Sequence, residues 1–204
     1  MNELESFDSK EEWHFHLWIQ ELKTHGLILE AVYHPKPFSL FDPVSVSYQK
    51  QQVRKVKECS ITILAEHSYQ ADWLIYWNDR LKNILFTDLS LPVRSPKETP
   101  FTARWSPRGS FFSVVDVKGN FSQNDAWRRF SIDQKWVYQK YQIHVNKIIP
   151  MPRITKQGKA LPASALFMRT FLPQRILYTD KSLKERKINF KFRMIEDYLS
   201  EARL

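Results

Sequence analysis

The stretch Ser110 to Asn120, SFFSVVDVKGN, constrains this chain more than any other. Phe111, Phe112, Ser113, Val114 and Val115 are apolar or small, and a short unbroken run of that kind predicts a strand buried on both faces. Asp116 and Lys118 then enter, followed by Gly119. Strand side chains alternate, so Asp116 and Lys118 point the same way. An acid and a lysine at the end of a buried strand lose hydration that only a partner or a task offsets. Taken alone, the pair is accounted for by a salt bridge that closes the strand.

Ser9 to Thr24 reads as a helix. Ser9 is an N-cap, and Glu12 three residues on completes a capping box. Trp13, Phe15, Leu17, Trp18, Ile19 and Leu22 cover most of its circumference, and His25-Gly26 ends it. Glu12 shares a side with Phe15, His16 and Ile19 and so faces inward, although the capping box alone explains it. Glu11, above Phe15 and Trp18, is the alternative inward acid. Residues 27 to 48, broken by Pro35, Pro37 and Pro43, read as short strands or edge segments. The run QKQQVRKVKE, 49 to 58, carries Lys50, Arg54, Lys55 and Lys57, and serves either as a basic arm on a phosphate backbone or as a solvated hairpin. Residues 58 to 66 alternate as a strand, with Cys59 expected as a buried thiol. In YQADWLIYW, 69 to 77, Asp72 opens a strand with Trp73, Ile75 and Trp77 on one face and Asp72, Leu74 and Tyr76 on the other. As a lone residue, Asp72 is equally a cap or turn acid.

Residues 79 to 109 are punctuated by Pro92, Pro96, Pro100 and Pro107, with Arg94, Lys97, Arg104 and Arg108 among them. They read as a basic inserted loop able to wrap a ligand. Asn124 to Tyr141 predicts a helix, with Trp127, Phe130, Ile132, Trp136, Val137 and Tyr141 apolar and Arg128, Arg129, Lys135 and Lys140 outward. Residues 142 to 149 form a further strand. Strand, helix, strand from 111 to 149 is the crossover unit of an α/β sheet. From 151 on, twelve Lys and Arg stand against five acids, so this basic extension holds most of the chain's net charge of +9.

That charge points to a polyanionic partner, nucleic acid first. No run approaches a membrane span, and the acidic start MNELESFDSKEE is wrong for a signal peptide. A cytoplasmic, non-membrane protein is expected. The six histidines and the single Cys59 show no zinc spacing, and no phosphate-binding loop, dinucleotide fingerprint or G-x-S-x-G occurs.

Glu12, Asp72, Asp116 and Lys118 together suggest more than any one of them. Three converging carboxylates repel, and an oxygen-rich cluster favours Mg²⁺ or Mn²⁺. A lysine beside them can orient a water for attack on a phosphodiester. The segments S-K-E-E (9 to 12), Y-Q-A-D-W (69 to 73) and V-D-V-K-G (115 to 119) resemble the PD-(D/E)XK nuclease superfamily. Within it the chain looks most like the phage endonuclease I type of Holliday-junction resolvase and the TnsA-type transposase endonucleases.

The resemblance covers about residues 9 to 150 and implies an α/β restriction-endonuclease-like core with a mixed central sheet flanked by helices. Residues 1–150 would be that core, 79–109 its basic insertion and 151–204 a basic C-terminal extension. It further implies Glu12, Asp72, Asp116 and the Val117 carbonyl as metal ligands and Lys118 as the residue serving the attacking water. Gln134-x-x-x-Tyr138 is similar to a Q-x-x-x-Y element of some exonuclease members. Ala71 stands where the family has a proline, and the gap from Asp72 to Asp116 is long, which leaves Asp88 as an alternative first acid. The expected activity is metal-dependent cleavage of DNA, with branched DNA first and a homodimer to cut two strands. Arg54, Lys55, Lys57, Arg104, Arg108, Arg128, Arg129 and Lys135 are the candidate DNA contacts. The rivals are a TnsA-like or site-specific endonuclease on duplex DNA and a non-catalytic nucleic-acid-binding protein of the same fold.

Overall fold

The computed structural model describes residues 6–83, 85–88, 101–118 and 124–148. Its centre is β9 (Phe111–Val117), buried along nearly its whole length, as its apolar run dictates. Along one edge it pairs antiparallel with β6 (Trp73–Trp77), and β1 (Ile28–Tyr33) pairs antiparallel outside β6. The other edge is shared. The antiparallel β8 (Phe101–Trp105) takes the start of β9 at Phe111 and Phe112, and the parallel β10 (Val145–Ile148) takes Val114 to Val117. β7 (Phe86–Asp88) lies parallel outside β8. The described residues therefore form a mixed α/β fold with a mixed six-stranded central sheet and two helices.

Because successive strand residues face opposite ways, each sheet face has its own core. On one face α1 (Lys10–Thr24) lays Phe15, Trp18, Ile19 and Leu22 against Trp73, Ile75, Trp77, Phe101, Val115 and Val117. On the other, α2 (Asn124–Tyr141) contributes Phe130 and Val137 to a cluster with Val114, Val145, Tyr69 and Ala71.

Where β8 hands over to β10, the backbone would be left with unpaired buried groups. The Asn146 side chain fills that fork. Its Oδ1 accepts from the Thr102 amide at 2.8 Å, and its Nδ2 donates to the carbonyls of Thr102 and Val114, both at 3.0 Å. Ser113 Oγ also donates to the Thr102 carbonyl at 2.7 Å and itself accepts from Trp77 Nε1 at 2.8 Å.

Four strands stand apart from this sheet. β2 (Phe38–Phe41) pairs with β5 (His67–Tyr69), and β3 (Val44–Gln51) pairs with β4 (Val56–Leu64), making a two-stranded arm bent at Asp42-Pro43 and Ala65-Glu66.

Several sequence expectations change. The segment 79–109 is not one basic loop. Phe101–Trp105 is a strand of the central sheet with Phe101 and Ala103 buried, and Phe86–Asp88 extends that sheet. On α1 the buried stripe is Glu12, Phe15, Trp18, Ile19 and Leu22, while Trp13 and Leu17 are only half-buried. On α2, Ile132 and Trp136 are exposed, and Asp133 lies inward between Phe130 and Val137, bonded to His67 Nε2 at 2.7 Å. Cys59 is half-exposed rather than buried. Gly119 and the extension 151–204 lie outside the described residues. No helix among those residues is long and apolar enough to cross a membrane.

Candidate active site

The antiparallel register that sets Trp73 opposite Val115 carries on to bring Asp72 alongside Asp116. Asp72 Oδ2 accepts from the Val117 amide at 2.5 Å, and its own carbonyl accepts from His34 N at 2.9 Å. Asp116 Oδ2 accepts from the Tyr69 hydroxyl at 2.5 Å. The Lys118 ammonium forms an ion pair with Asp116 Oδ1, so the two residues do share a side of the strand. The Lys118 amide donates to the Ile148 carbonyl at 2.7 Å, which ties the strand end to β10.

Glu12 reaches the same end of the sheet from the first turn of α1, where the helix dipole favours a carboxylate. Ser9 Oγ accepts from the Glu12 amide at 3.2 Å and donates to Glu12 Oε1 at 2.7 Å. The Tyr33 hydroxyl donates to Oε2 at 2.6 Å. Glu12 is buried and Glu11 only half-buried, which favours Glu12 as the inward acid.

Burial sets the electrostatics. The Asp72 carboxyl is pushed up to about 8, by desolvation first and then by the Asp116 charge; Lys118 and the Val117 amide pull against this, and Glu12 adds to it. Asp116 is also raised, because burial outweighs the Lys118 and Tyr69 contacts that hold it down. Burial opposes the charge on Lys118, but Asp116, then Asp72 and Glu12, push its pKa up, so it stays an ammonium. Tyr69 is held far above the ordinary phenol range by burial and by Asp116, and Tyr33 by burial and its bond to Glu12. Asp72 and Asp116 thus form an interacting pair, half-buried and buried, whose carboxyls are both pushed up, which favours a shared proton.

The structure brings Asp72, Asp116, Val117 and Lys118 into one bonded network, with Glu12 close enough to act on it through charge. The three acids do not form one tight triad. Among the described residues, the set of three ligand-type side chains whose donor atoms lie within 4.8 Å of one another is Asp8, Glu12 and His34. Asp88 is buried two strands away beside Lys82, at 3.2 Å, and is no part of the network.

Of the candidate DNA contacts, Arg54, Lys55 and Lys57 are exposed near the tip of the β3–β4 arm. Arg128, Arg129 and Lys135 are exposed on α2. Arg108 is exposed, 3.6 Å from Glu30 and over the Tyr76 ring. Arg104 is engaged instead: its Nη1 donates to the carbonyls of Tyr141 (2.6 Å) and Gln142 (3.1 Å) at the end of α2. Gln134 donates to the Val145 carbonyl at 2.6 Å and so anchors β10 rather than joining the acids, and Tyr138 is exposed.

Sequence reasoning missed Tyr69 and Tyr33, the two phenols that hold the carboxylates. Tyr69 lies three residues before Asp72, inside the segment already singled out, but nothing in its spacing shows that its hydroxyl crosses to Asp116. Comparison of the chain with protein-family models, curated proteins and solved structures finds no match.

Proposed function

We propose that this chain is a metal-dependent deoxyribonuclease on a restriction-endonuclease-like core, hydrolysing phosphodiester bonds of branched DNA in a phage or mobile-element setting. The observation that carries this reading is the Asp72–Asp116–Lys118 network, in which Asp116 is buried and Asp72 and Lys118 are half-buried. It joins Asp72 to residues 44 and 46 positions further on at the end of the central strands, with Glu12 arriving from a separate helix.

The residues suit a hard divalent cation. Their donors are all oxygens, as Mg²⁺ or Mn²⁺ prefers. Their charge is under-compensated, since Asp72 keeps a proton that a cation would displace. Asp72 and Asp116 would hold the ion with the Val117 carbonyl, and Glu12 would join by leaving Tyr33. Such an ion supplies charge neutralisation on the phosphate and a more acidic bound water. Lys118, held by its ion pair with Asp116, would orient the attacking water. Exposed cations on the arm and on α2 would hold the backbone on either side.

The test is cleavage of a labelled four-way junction beside its matched duplex, with Mg²⁺, Mn²⁺ or EDTA, for wild type and Asp116→Ala. Junction cutting that requires both metal and Asp116 is the expected result. Equal cutting of both substrates would instead favour a TnsA-like or site-specific endonuclease. One feature favours the non-catalytic reading: every carboxylate of the network already has a protein donor or cation. Salt-sensitive DNA binding without cutting in any metal would establish it.

A further inference from the structure

The β3–β4 arm has two unlike faces. Its register sets Val46 opposite Ile61, Tyr48 opposite Cys59 and Lys50 opposite Lys57, so these side chains share one face. Ile63 follows Ile61 on this face up to a register shift, beyond which Val44 pairs with Leu64. The other face carries Ser45 opposite Thr62, bonded at 3.0 Å, then Ser47 opposite Ser60 and Gln49 opposite Glu58. The apolar face is uncovered: Val46 is 46% exposed, Tyr48 47%, Ile61 55% and Ile63 56%. A lone two-stranded ribbon is marginal in water and needs something on its apolar side.

We propose that a second copy of this chain covers that face, through antiparallel, two-fold stacking of the two arms. The charge pattern along the arm selects this partner. Acidic Asp42 and Glu66 stand at the elbow, the apolar residues occupy the middle, and Lys50, Arg54, Lys55 and Lys57 crowd the tip. The Tyr48–Cys59 pair sits near the arm's midpoint. A two-fold axis there lays each apolar face on the other and each basic tip on the partner's acidic elbow. The eight residues of β3 span about 27 Å, and two strands make a face ~10 Å wide. That area is roughly a third of the ~800 Å² per partner in a standard interface, and the two tip-on-elbow contacts add the polar rim.

Nucleic acid fits the tip but not the apolar middle. The C-terminal extension is itself strongly basic and would repel the tip. The inference stands independently of the nuclease reading. Only one consequence rests on that reading: the tip of one protomer is carried toward the acidic site of the other.

The test is the association state of the full chain by sedimentation over a concentration series, together with cross-linking by a short bismaleimide through Cys59, the chain's single cysteine. Wild type is expected to dimerise and to cross-link Cys59 to Cys59; Cys59→Ser abolishes the cross-link. Ile61→Glu, exposed and outside the body's core, raises the dissociation constant about tenfold or more, while Ser60→Glu on the polar face does not. Unchanged circular dichroism shows that both fold. Lys55→Glu and Glu66→Lys each weaken the dimer, and their combination restores it. A monomer at every concentration, or a dimer that does not cross-link through Cys59, overturns the proposal. So does a monomer with Cys59 shielded from maleimide, which makes the extension the cover, or shielded only when duplex is added, which makes it nucleic acid. Cleavage is not read in these assays, so their failure leaves the nuclease proposal standing.

Discussion

Asp72→Asn should make the protein more stable at alkaline pH and leave it nearly unchanged in acid. The folded protein holds a proton on Asp72 up to about pH 8, while the unfolded chain releases it near the ordinary 3.8. Between those values the folded state binds more protons, so the stability that this proton contributes falls as pH rises through that window and is gone above it. At 1.36 kcal/mol per pH unit, the window corresponds to a ceiling of about 6 kcal/mol, out of ~5–15 kcal/mol for a whole domain. Relaxation of the ionised carboxylate toward solvent lowers that figure, and a gain of at least ~2 kcal/mol is expected. Asparagine keeps an acceptor for the Val117 amide and never ionises. The assay is urea unfolding by tryptophan fluorescence in EDTA, since Trp73, the neighbour of Asp72 in the chain, and Trp77 are buried. The quantity is the stability difference between variant and wild type at pH 8.5, minus the same difference at pH 5, so other titrations cancel. Equal differences at the two pH values would refute the proton-sharing pair. Mg²⁺ should restore wild type at pH 8.5 and leave Asp72→Asn unmoved.

On the proposed nuclease reading, in which its ammonium would serve the reacting water, Lys118→Met should lower metal-dependent cleavage by roughly 10²–10⁴-fold while circular dichroism stays native. Tyr69→Phe removes a donor from buried Asp116, so unfolding should cost about 1–3 kcal/mol less and Mn²⁺ titration should show altered affinity. Asn146→Leu strands the Thr102 amide and the Val114 carbonyl and should cost about 3–5 kcal/mol in urea melts; Asn146→Asp should be no better, since a carboxylate faces two carbonyls. Arg104→Ala should lower stability by about 1–2 kcal/mol with the salt dependence of DNA binding unchanged, whereas Arg129→Ala should reduce that slope by about one.

The chemistry-bearing strand was legible because β9 is buried on both faces, and burial of that kind writes an unbroken apolar run from which Asp116 stands out. The first helix was legible through its cap, for Ser9 and Glu12 act locally, although the Glu12 carboxylate turns to the Ser9 hydroxyl and Tyr33. β8 was not legible. Its FTARW has two buried residues among prolines and arginines, and its pairing partner lies beyond the Ser106–Ser110 turn. On α2, apolar spacing marked Ile132 and Trp136 as core, yet Asp133 takes the inward position because His67 of the arm supplies its partner. Partners distant in sequence, Tyr69 for Asp116 and Tyr33 for Glu12, leave no local trace, because a phenol in an apolar strand looks like any other core aromatic.

On the proposed metal-dependent reading, the charge of the site predicts an exchange between proton and metal. Glu12, Asp72 and Asp116 carry three negative charges when ionised, and Lys118 returns one. Lys147, opposite Asp116 in the β9–β10 register, adds a second cation, its pKa lowered overall by burial, with Asp116 partly opposing the shift. One proton on Asp72 then brings the cluster to neutrality, the state a half-buried site without a cation must approach. A divalent ion that expels this proton leaves the cluster with about one positive charge, the complement of a single phosphodiester. Metal uptake near neutral pH should therefore release about one proton and raise affinity for DNA in the same step. Isothermal titration with Mn²⁺ in buffers of different ionisation enthalpy reads the proton directly, and Asp72→Asn should erase it. Proton release that persists in that variant would place the exchanging group elsewhere, with Glu12 beside Asp8 and His34 as the next site to test.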